Sequence, residues 1–212
     1  MKKLILTTLS IVLLPIAAYS AETRIGFSAA LSYFTSDGTE TRKANGTKSS
    51  KEITEDALVP GLFLEREIDN GFTFGFEFNP GEAELGSGIG NDDDIETSGA
   101  NKASAEVSGH MSIYGLIPVG PGFARLGIVH ASVDTTEDLK TGTKYGNEDV
   151  NGLVLGYGFQ KDGNGNFFRV EGTYTVYEEL TLNGSLDAQS VRNKVEADID
   201  AFALKFSIGK SF

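Results

Sequence analysis

The stretch that decides the fold is the last eleven residues, Phe202-Ala-Leu-Lys-Phe-Ser-Ile-Gly-Lys-Ser-Phe212. Large apolar side chains alternate there with small or polar ones, and successive side chains of a strand point to opposite faces. One face therefore carries the large apolar side chains, which are Phe202, Leu204, Phe206, Ile208 and Phe212. The pattern predicts a strand with one apolar surface and one small, polar surface.

The amino terminus predicts an export signal at residues 1–20. Lys2 and Lys3 precede an apolar stretch that ends in the small-x-small site Ala18-Tyr19-Ser20. The stretch is shorter than the about 20 apolar residues that a membrane-spanning helix needs, so we expect it to be cleaved. Residues 21–212 then form the mature domain. Because the chain has no cysteine, disulfide bonds, thiol chemistry and lipid attachment through cysteine are excluded.

The composition favours one all-β domain. The 212-residue chain holds 26 glycines, 14 phenylalanines and 7 tyrosines, which favour turns and strands over helices. Its formal charge is −12 at pH 7, and removal of the two signal-peptide lysines takes it to −14. Such an acidic chain repels phosphate backbones, so we expect no nucleic-acid partner.

Alternation of apolar and polar residues predicts eight strands. Their predicted bounds are Arg24–Phe34, Ala57–Ile68, Phe72–Asn79, Ala105–Ile117, Phe123–Asp134, Gly152–Gln160, Phe167–Glu178 and Asp198–Phe212. Three tight turns join these strands in pairs, at residues 69–71, 118–122 and 161–166. The Asn-Gly of the first turn supplies the positive φ angles that a tight hairpin requires.

Long and short connections alternate strictly along the chain. Four polar segments, at residues 35–56, 80–102, 135–149 and 179–197, separate the hairpins. In an up-and-down barrel, alternate connections emerge at opposite rims, so the four polar segments share one rim. The strands are even in number and match the about 9 to 11 residues of a tilted membrane-crossing strand. The layout predicts an all-β, eight-stranded antiparallel up-and-down transmembrane β-barrel with long loops on one side.

With the apolar face turned to lipid, the opposite face of each strand lines the barrel interior. That face carries four positive and five negative charges, which nearly cancel: Arg24, Arg125, Arg169 and Lys205 against Glu65, Glu67, Glu77, Glu106 and Glu171. An unpaired charge inside a barrel is costly to desolvate, and eight strands leave an interior that side chains fill. We therefore predict a polar network that leaves the lumen narrow or plugged.

Three segments resemble those of opacity-type and related porin-like small outer-membrane β-barrels: Phe123–Ile128, Phe168–Tyr177 and the C-terminal strand. The resemblance implies a surface-exposed barrel in the outer membrane of a Gram-negative bacterium, in contact with lipid and lipopolysaccharide. It implies a role in adhesion, envelope integrity or modest solute passage, with no active site, cofactor or metal and with long loops that meet a surface ligand. It also implies that the barrel-assembly machinery reads the C-terminal strand and its final phenylalanine, Phe212.

His130-Ala131-Ser132 supports an enzymatic alternative. Residues two apart on a strand share a face, so an imidazole base lies near a hydroxyl nucleophile, and Asp134 lies two positions further on to orient the ring. The pair resembles the His-x-Ser of outer-membrane lipid A deacylases, so the alternative function is a lipid A acyl hydrolase. The Asn-Ala that follows the serine in that family is absent here. We therefore expect a non-enzymatic barrel.

Residues 91–96, Asn-Asp-Asp-Asp-Ile-Glu, concentrate carboxylates in the second polar segment. Carboxylate oxygens bind hard divalent cations such as Ca²⁺, so one interpretation is a cation-collecting loop at the lipopolysaccharide surface. A solvated loop held extended by its charges explains the same pattern, and we predict no metal site.

Overall fold

The computed structural model of the protein describes residues 22–42, 46–68, 70–91, 100–138, 144–186 and 192–212. These residues form ten strands: β1 (Thr23–Arg42), β2 (Thr47–Glu67), β3 (Thr73–Asn79), β4 (Ala83–Asn91), β5 (Ala100–Val119), β6 (Gly122–Asp138), β7 (Glu148–Gly163), β8 (Asn166–Tyr177), β9 (Leu180–Leu186) and β10 (Arg192–Ser211). The predicted signal peptide and residues 92–96 of the acidic stretch lie outside the described residues. Within the described ranges, no helix is long and apolar enough to cross a membrane.

The strands form one antiparallel ring. The pairing order is β1-β2-β3-β5-β6-β7-β8-β10, and β1 pairs with β10 to close the ring, from Arg24 opposite Ser211 to Thr41 opposite Lys194. β3 and β4 both pair with β5, and β8 and β9 both pair with β10, so the ten segments occupy eight positions in the ring. The predicted eight-stranded antiparallel barrel is confirmed.

Both ends of the described chain, Glu22 and Phe212, and three tight turns lie at one rim, which we call the turn end. The turns join β2 to β3, β5 to β6 and β7 to β8, as predicted, and residues with positive φ close them: Asn70, Gly71, Gly120, Asn164 and Gly165. Glycine and asparagine adopt this conformation at the lowest steric cost. Backbone hydrogen bonds of 3.1 and 2.9 Å join Thr23 to Phe212 and hold the two ends of the described chain together.

The strands continue well beyond the predicted bounds. β1, β5 and β10 are each 20 residues long, so much of the four polar segments predicted as loops is strand instead. A 20-residue strand spans about 66 Å at about 3.3 Å per residue, and a tilt of roughly 40° leaves a height of about 50 Å. Because the apolar band of a membrane barrel is only about 25 Å tall, this barrel rises above the bilayer.

The polarity of the inner and outer faces of the barrel reverses along the strands. On β6, nearer the turn end, Leu126 and Ile128 face outward and are more than half exposed, whereas Arg125 is buried inside. Further along the same strand, the apolar Val133 is buried inside and Asp134 lies on the outer face. The barrel therefore has an apolar belt around a polar lumen near the turn end, and a polar exterior around an apolar core beyond it. The level of reversal marks the boundary between hydrocarbon and water.

One part of the barrel wall lacks a backbone ladder. β2 pairs with β3 only between Leu62 and Glu67, and in the described parts of both strands no ladder joins β2 to β4, which lies beside its remaining length. Pro60 has no N–H to donate there, and the side-chain amide of Asn79 donates to the Pro60 carbonyl oxygen at 2.9 Å. The Pro60 ring packs against Gly81. We call this interruption the β2–β4 seam.

Candidate functional site

The interior near the turn end holds buried, paired charges. Arg169 donates through Nη1 and Nη2 to the two carboxylate oxygens of Glu65, at 2.6 and 2.8 Å, and Tyr114 donates its hydroxyl to Glu65 at 2.7 Å. Gln160 accepts two further bonds from the same guanidinium group, at 3.1 and 2.7 Å. Since Arg169 and Glu65 are each only 1% exposed, these protein partners replace water almost completely.

A second cluster lies further from the turn end. Arg125 donates through Nε and Nη2 to the two oxygens of Glu171, both at 2.9 Å, and through Nη1 to Glu77 at 3.3 Å. Glu77 also accepts from the ammonium group of Lys205 and the hydroxyl of Ser28, both at 2.7 Å. Together the two clusters form what we call the ionic plug, which has three positive and three negative residues: Arg125, Arg169 and Lys205 with Glu65, Glu77 and Glu171.

Aromatic rings pack on the guanidinium groups of the ionic plug. The guanidinium carbon of Arg125 lies 3.6 Å from the ring centre of Tyr114, and that of Arg169 lies 5.2 Å from the ring centre of Phe123. Gly75 makes room for the tyrosine, because a Cβ at that position would lie 2.3 Å from ring atoms of Tyr114. Cation–π attraction adds to the ion pairing and fixes each guanidinium plane. The plug therefore occupies the lumen near the turn end.

The other predicted interior charges lie at the edge of the plug or outside the barrel. Arg24 forms an ion pair with Glu67 at the rim of the turn end. Glu106 lies on the outer face, contrary to the prediction, and Val107 takes the buried position. The reason is a β-bulge at Gly109, whose φ of 58° shifts the alternation of β5 by one residue. With Glu106 outside, the predicted interior charges are reduced to four positive and four negative residues.

The C-terminal strand presents its apolar face to the outside of the barrel. The residues of the predicted assembly signal are 39% to 69% exposed: Phe202, Leu204, Phe206, Ile208 and Phe212. On the opposite face, Ser207 is buried in the lumen. This geometry places the apolar side chains against lipid, and their recognition by the assembly machinery stays a prediction.

A cavity of about 70 Å³, which we call the chamber, lies beyond the ionic plug. Its floor is made by Glu77, Arg125 and Lys205 of the plug. Its walls are mainly apolar and belong to the buried apolar core that begins beyond the ionic plug, level with the upper part of the apolar belt: Phe34, Ala83, Val107, Val129, Val154, Tyr177 and Ala201. This apolar interior was not predicted from the sequence, where the alternation of Val129, Ala131 and Val133 is its available signal.

His110 lines the chamber next to the β2–β4 seam. Its Nδ1 lies 3.0 Å from the side-chain oxygen of Asn79, whose amide nitrogen donates to the carbonyl oxygen of Pro60. Because the amide nitrogen is committed to Pro60, the amide oxygen accepts and Nδ1 of His110 donates. The neutral imidazole therefore offers Nε2 to the chamber as a hydrogen-bond acceptor.

His130 and Ser132 share the outer face of β6, above the apolar belt. Ser132 donates its hydroxyl to Asp149 at 2.7 Å, and Nδ1 of His130 is paired with the side-chain oxygen of Asn151 at 3.0 Å. Asp134 accepts a hydroxyl hydrogen bond from β5, at 2.5 Å. The geometry thus brings the predicted base and nucleophile to one face, but it directs the serine proton to a carboxylate instead of the imidazole.

An eight-position antiparallel ring with an apolar outer belt and a charged lumen defines the class of small outer-membrane β-barrels. The fold is similar to that of the outer membrane protein AlkL solved in lipid bilayers, with a TM-score of 0.56, 12% identity and 92% of each chain covered. It also matches Ail, the attachment invasion locus protein of Yersinia pestis, with a TM-score of 0.37, 13% identity and 88% of this chain and 99% of that chain covered. The outer membrane protease OmpT of Escherichia coli has a TM-score of 0.46 and 8% identity, over 91% of this chain and 96% of that chain. No protein-family model and no curated protein matches the sequence. The outer-membrane β-barrel fold is therefore shown by structure alone.

Proposed function

We propose that the protein is a non-enzymatic outer-membrane β-barrel with a closed lumen, exported by a cleaved signal peptide. Its part above the bilayer serves envelope structure or contact with a surface ligand, amid lipid and lipopolysaccharide, and the barrel-assembly machinery inserts it. The ionic plug is the observation that carries this proposal. Six paired, buried charges and the rings stacked on them lie in the lumen near the turn end, where we expect them to block hydrated ions.

The part of the barrel above the bilayer supports a role as a fixed platform. Its interior is a core of buried apolar side chains contributed by many strands. The connection between β6 and β7 is also tied down, since the hydroxyl of Tyr145 donates to Glu40 of β1 at 2.8 Å, across the barrel. A rigid scaffold that presents variable connections is a common basis for surface recognition.

Single-channel recording in planar lipid bilayers tests the closed lumen. The wild-type protein should give no reproducible conductance steps, because the plug is fully paired. The double variant Arg125→Ala/Glu171→Ala removes one ion pair without changing the net charge and should produce discrete openings. Lys161→Ala, at an exposed turn-end position, is the matched control and should stay silent. Solute-selective openings of the wild-type barrel would contradict the closed lumen and favour a minor porin.

A lipid A acyl hydrolase is the second candidate, and one contact favours it. Asn151, which pairs with His130, donates its amide to Glu178 at 3.3 Å, so a carboxylate supports the imidazole through an amide. We expect no hydrolase activity, because Ser132 is hydrogen-bonded to Asp149. Mass spectrometry of lipid A from cells that express wild-type protein or Ser132→Ala should give the same acylation pattern. Loss of an acyl chain only with the wild type would establish the enzyme.

A further inference from the structure

We propose that the chamber binds the uncharged hydroxyl head group of a single-chain amphiphile whose hydrocarbon tail passes through the β2–β4 seam into the bilayer. This site lies beyond the ionic plug and is separate from both the closed lumen and the outer face that carries His130. Four observations on the described residues carry the inference: the size of the chamber, its position beside the seam, the way the seam is closed, and the chemistry of the chamber floor.

The chamber is too small for a whole hydrocarbon molecule. Its volume of about 70 Å³ is roughly half of the 150 Å³ in which an apolar protein cavity accommodates benzene. By that proportion, about three non-hydrogen atoms fit without rearrangement of the walls. A head group and its first carbons match this size, and a longer chain has to leave the chamber.

The seam is the part of the wall through which a chain reaches lipid. Val59 of β2 and Ala83 of β4 stand on either side of it, and both line the chamber together with Gly81. On the outside, Leu58 is 73% exposed and lies further from the turn end than Pro60, where the seam begins. Since Leu58 still belongs to the apolar belt, the lower part of the seam faces hydrocarbon.

Side-chain contacts close the seam, and no described β2–β4 ladder has to break when it widens. The Pro60 ring would lie 3.2 Å from a Cβ at Gly81, and Ile53 occupies the space over Gly86, where a Cβ would lie 2.7 Å from its side chain. Two glycines thus receive apolar groups from the opposite strand. Van der Waals contacts of this kind separate at far lower cost than a row of hydrogen bonds in hydrocarbon.

The chamber floor selects an uncharged donor. The carboxylates of Glu77 and Glu171 are already paired with Arg125 and Lys205, two negative charges with two positive ones, so neither sign of charge is in excess there. An added carboxylate or ammonium group would be buried without a counter-charge. His110 offers an acceptor at Nε2, and the hydroxyl of Ser112 also lines the chamber. An alcohol carries no charge, and its O–H donates a hydrogen bond to Nε2 of His110.

Nitrogen-15 spectroscopy of the two histidines tests the proposal directly. The chain contains only His110 and His130, so full-length protein labelled with ¹⁵N-histidine in phosphatidylcholine nanodiscs gives four ring-nitrogen signals, Nδ1 and Nε2 of each imidazole. Titration with 1-dodecanol should shift the Nε2 signal of His110 to saturation and leave His130 unchanged. Dodecane, which lacks a donor, and dodecanoate, which is charged, should leave both histidines unchanged. No shift with 1-dodecanol, or an equal shift with either comparator, would overturn the proposal.

Two valine substitutions test the seam as the route. Gly81→Val places a branched side chain against Pro60 and should weaken the 1-dodecanol response by on the order of tenfold. Gly172→Val is the matched control, because a Cβ there meets nothing within 4 Å. A heat-dependent gel shift verifies that each variant is folded. If Gly81→Val does not fold, the wild-type titrations with 1-dodecanol, dodecane and dodecanoate still test the binding site. A folded Gly81→Val protein with the wild-type response would exclude the seam. Planar-bilayer conductance is a separate readout, so failure here and failure of the closed lumen are distinguishable.

Discussion

Replacement of Glu77 by glutamine removes one charge from the centre of the ionic plug and leaves its shape almost unchanged. Glu77 is 1% exposed and accepts from Ser28, Lys205 and Arg125 at 2.7, 2.7 and 3.3 Å. Glutamine keeps an oxygen for Ser28. Among the described residues, it leaves the ammonium group of Lys205 with only Glu171 within ion-pair range, at 3.8 Å.

The expected loss of unfolding free energy follows from that imbalance. Removing one partner of a buried ion pair costs about 3–5 kcal/mol, because the remaining charge stays desolvated. Glu77→Gln should therefore lose about 3 kcal/mol or more. The double variant Glu77→Gln/Lys205→Met restores neutrality, with Arg125–Glu171 and Arg169–Glu65 intact, so no buried charge loses its partner without compensation. It should regain most of the loss.

Urea unfolding in liposomes measures these free energies. The chain has no tryptophan, so far-ultraviolet circular dichroism and the heat-dependent gel shift follow unfolding. Glu178→Gln, an exposed carboxylate on the outer face, is the matched control and should change stability by less than about 0.5 kcal/mol. A loss below about 1 kcal/mol for Glu77→Gln, or a double variant less stable than the single one, would refute the reasoning.

Three further outcomes are expected. Leu155→Arg, which places a charge in the apolar belt, should cost about 2–4 kcal/mol in the same liposome assay, whereas Asp149→Arg, above the belt, should cost less than about 1 kcal/mol. Gly75→Ala should displace the Tyr114 ring and destabilise the barrel by at least about 1 kcal/mol, since its Cβ would lie 2.3 Å from that ring. Unheated protein in detergent should migrate differently from boiled protein on a gel, and identical migration would contradict a closed barrel.

The parts of the strands that cross the membrane were predictable because hydrocarbon imposes a strict rule on one face. Phe202–Ile208 and Leu126–Ile128 alternate cleanly, since every outward position must be apolar. The tight turns were equally predictable, because they require positive φ angles, which Asn70-Gly71 and Asn164-Gly165 adopt at low steric cost. The number of strands, their direction and most of the interior charges follow from these local constraints.

The long hairpins above the bilayer were not predictable in the same way. β4 and β9 keep small or apolar residues inside, such as Ala83 and Leu182, but their outer faces are polar, so each segment resembles a loop in composition. The position of Glu106 depends on the bulge at Gly109, and a glycine in sequence does not reveal whether it bulges. The chamber was missed because its walls come from many strands, and only the closed ring brings them together.

The reversal of amphipathicity fixes the height of the barrel in the membrane. Asp56 and Asp200 follow directly above the belt on two strands, whereas Leu58 and Phe202 form its upper edge. If the barrel sinks into the bilayer by one residue pair, these carboxylates enter hydrocarbon, and each costs up to about 1 kcal/mol near the interface. If the barrel rises by the same distance, side chains of the belt enter water, and full transfer of each one costs about 1.5–3 kcal/mol. Since every strand contributes, the sum around the ring opposes both movements, and the seam is held with its lower end in hydrocarbon.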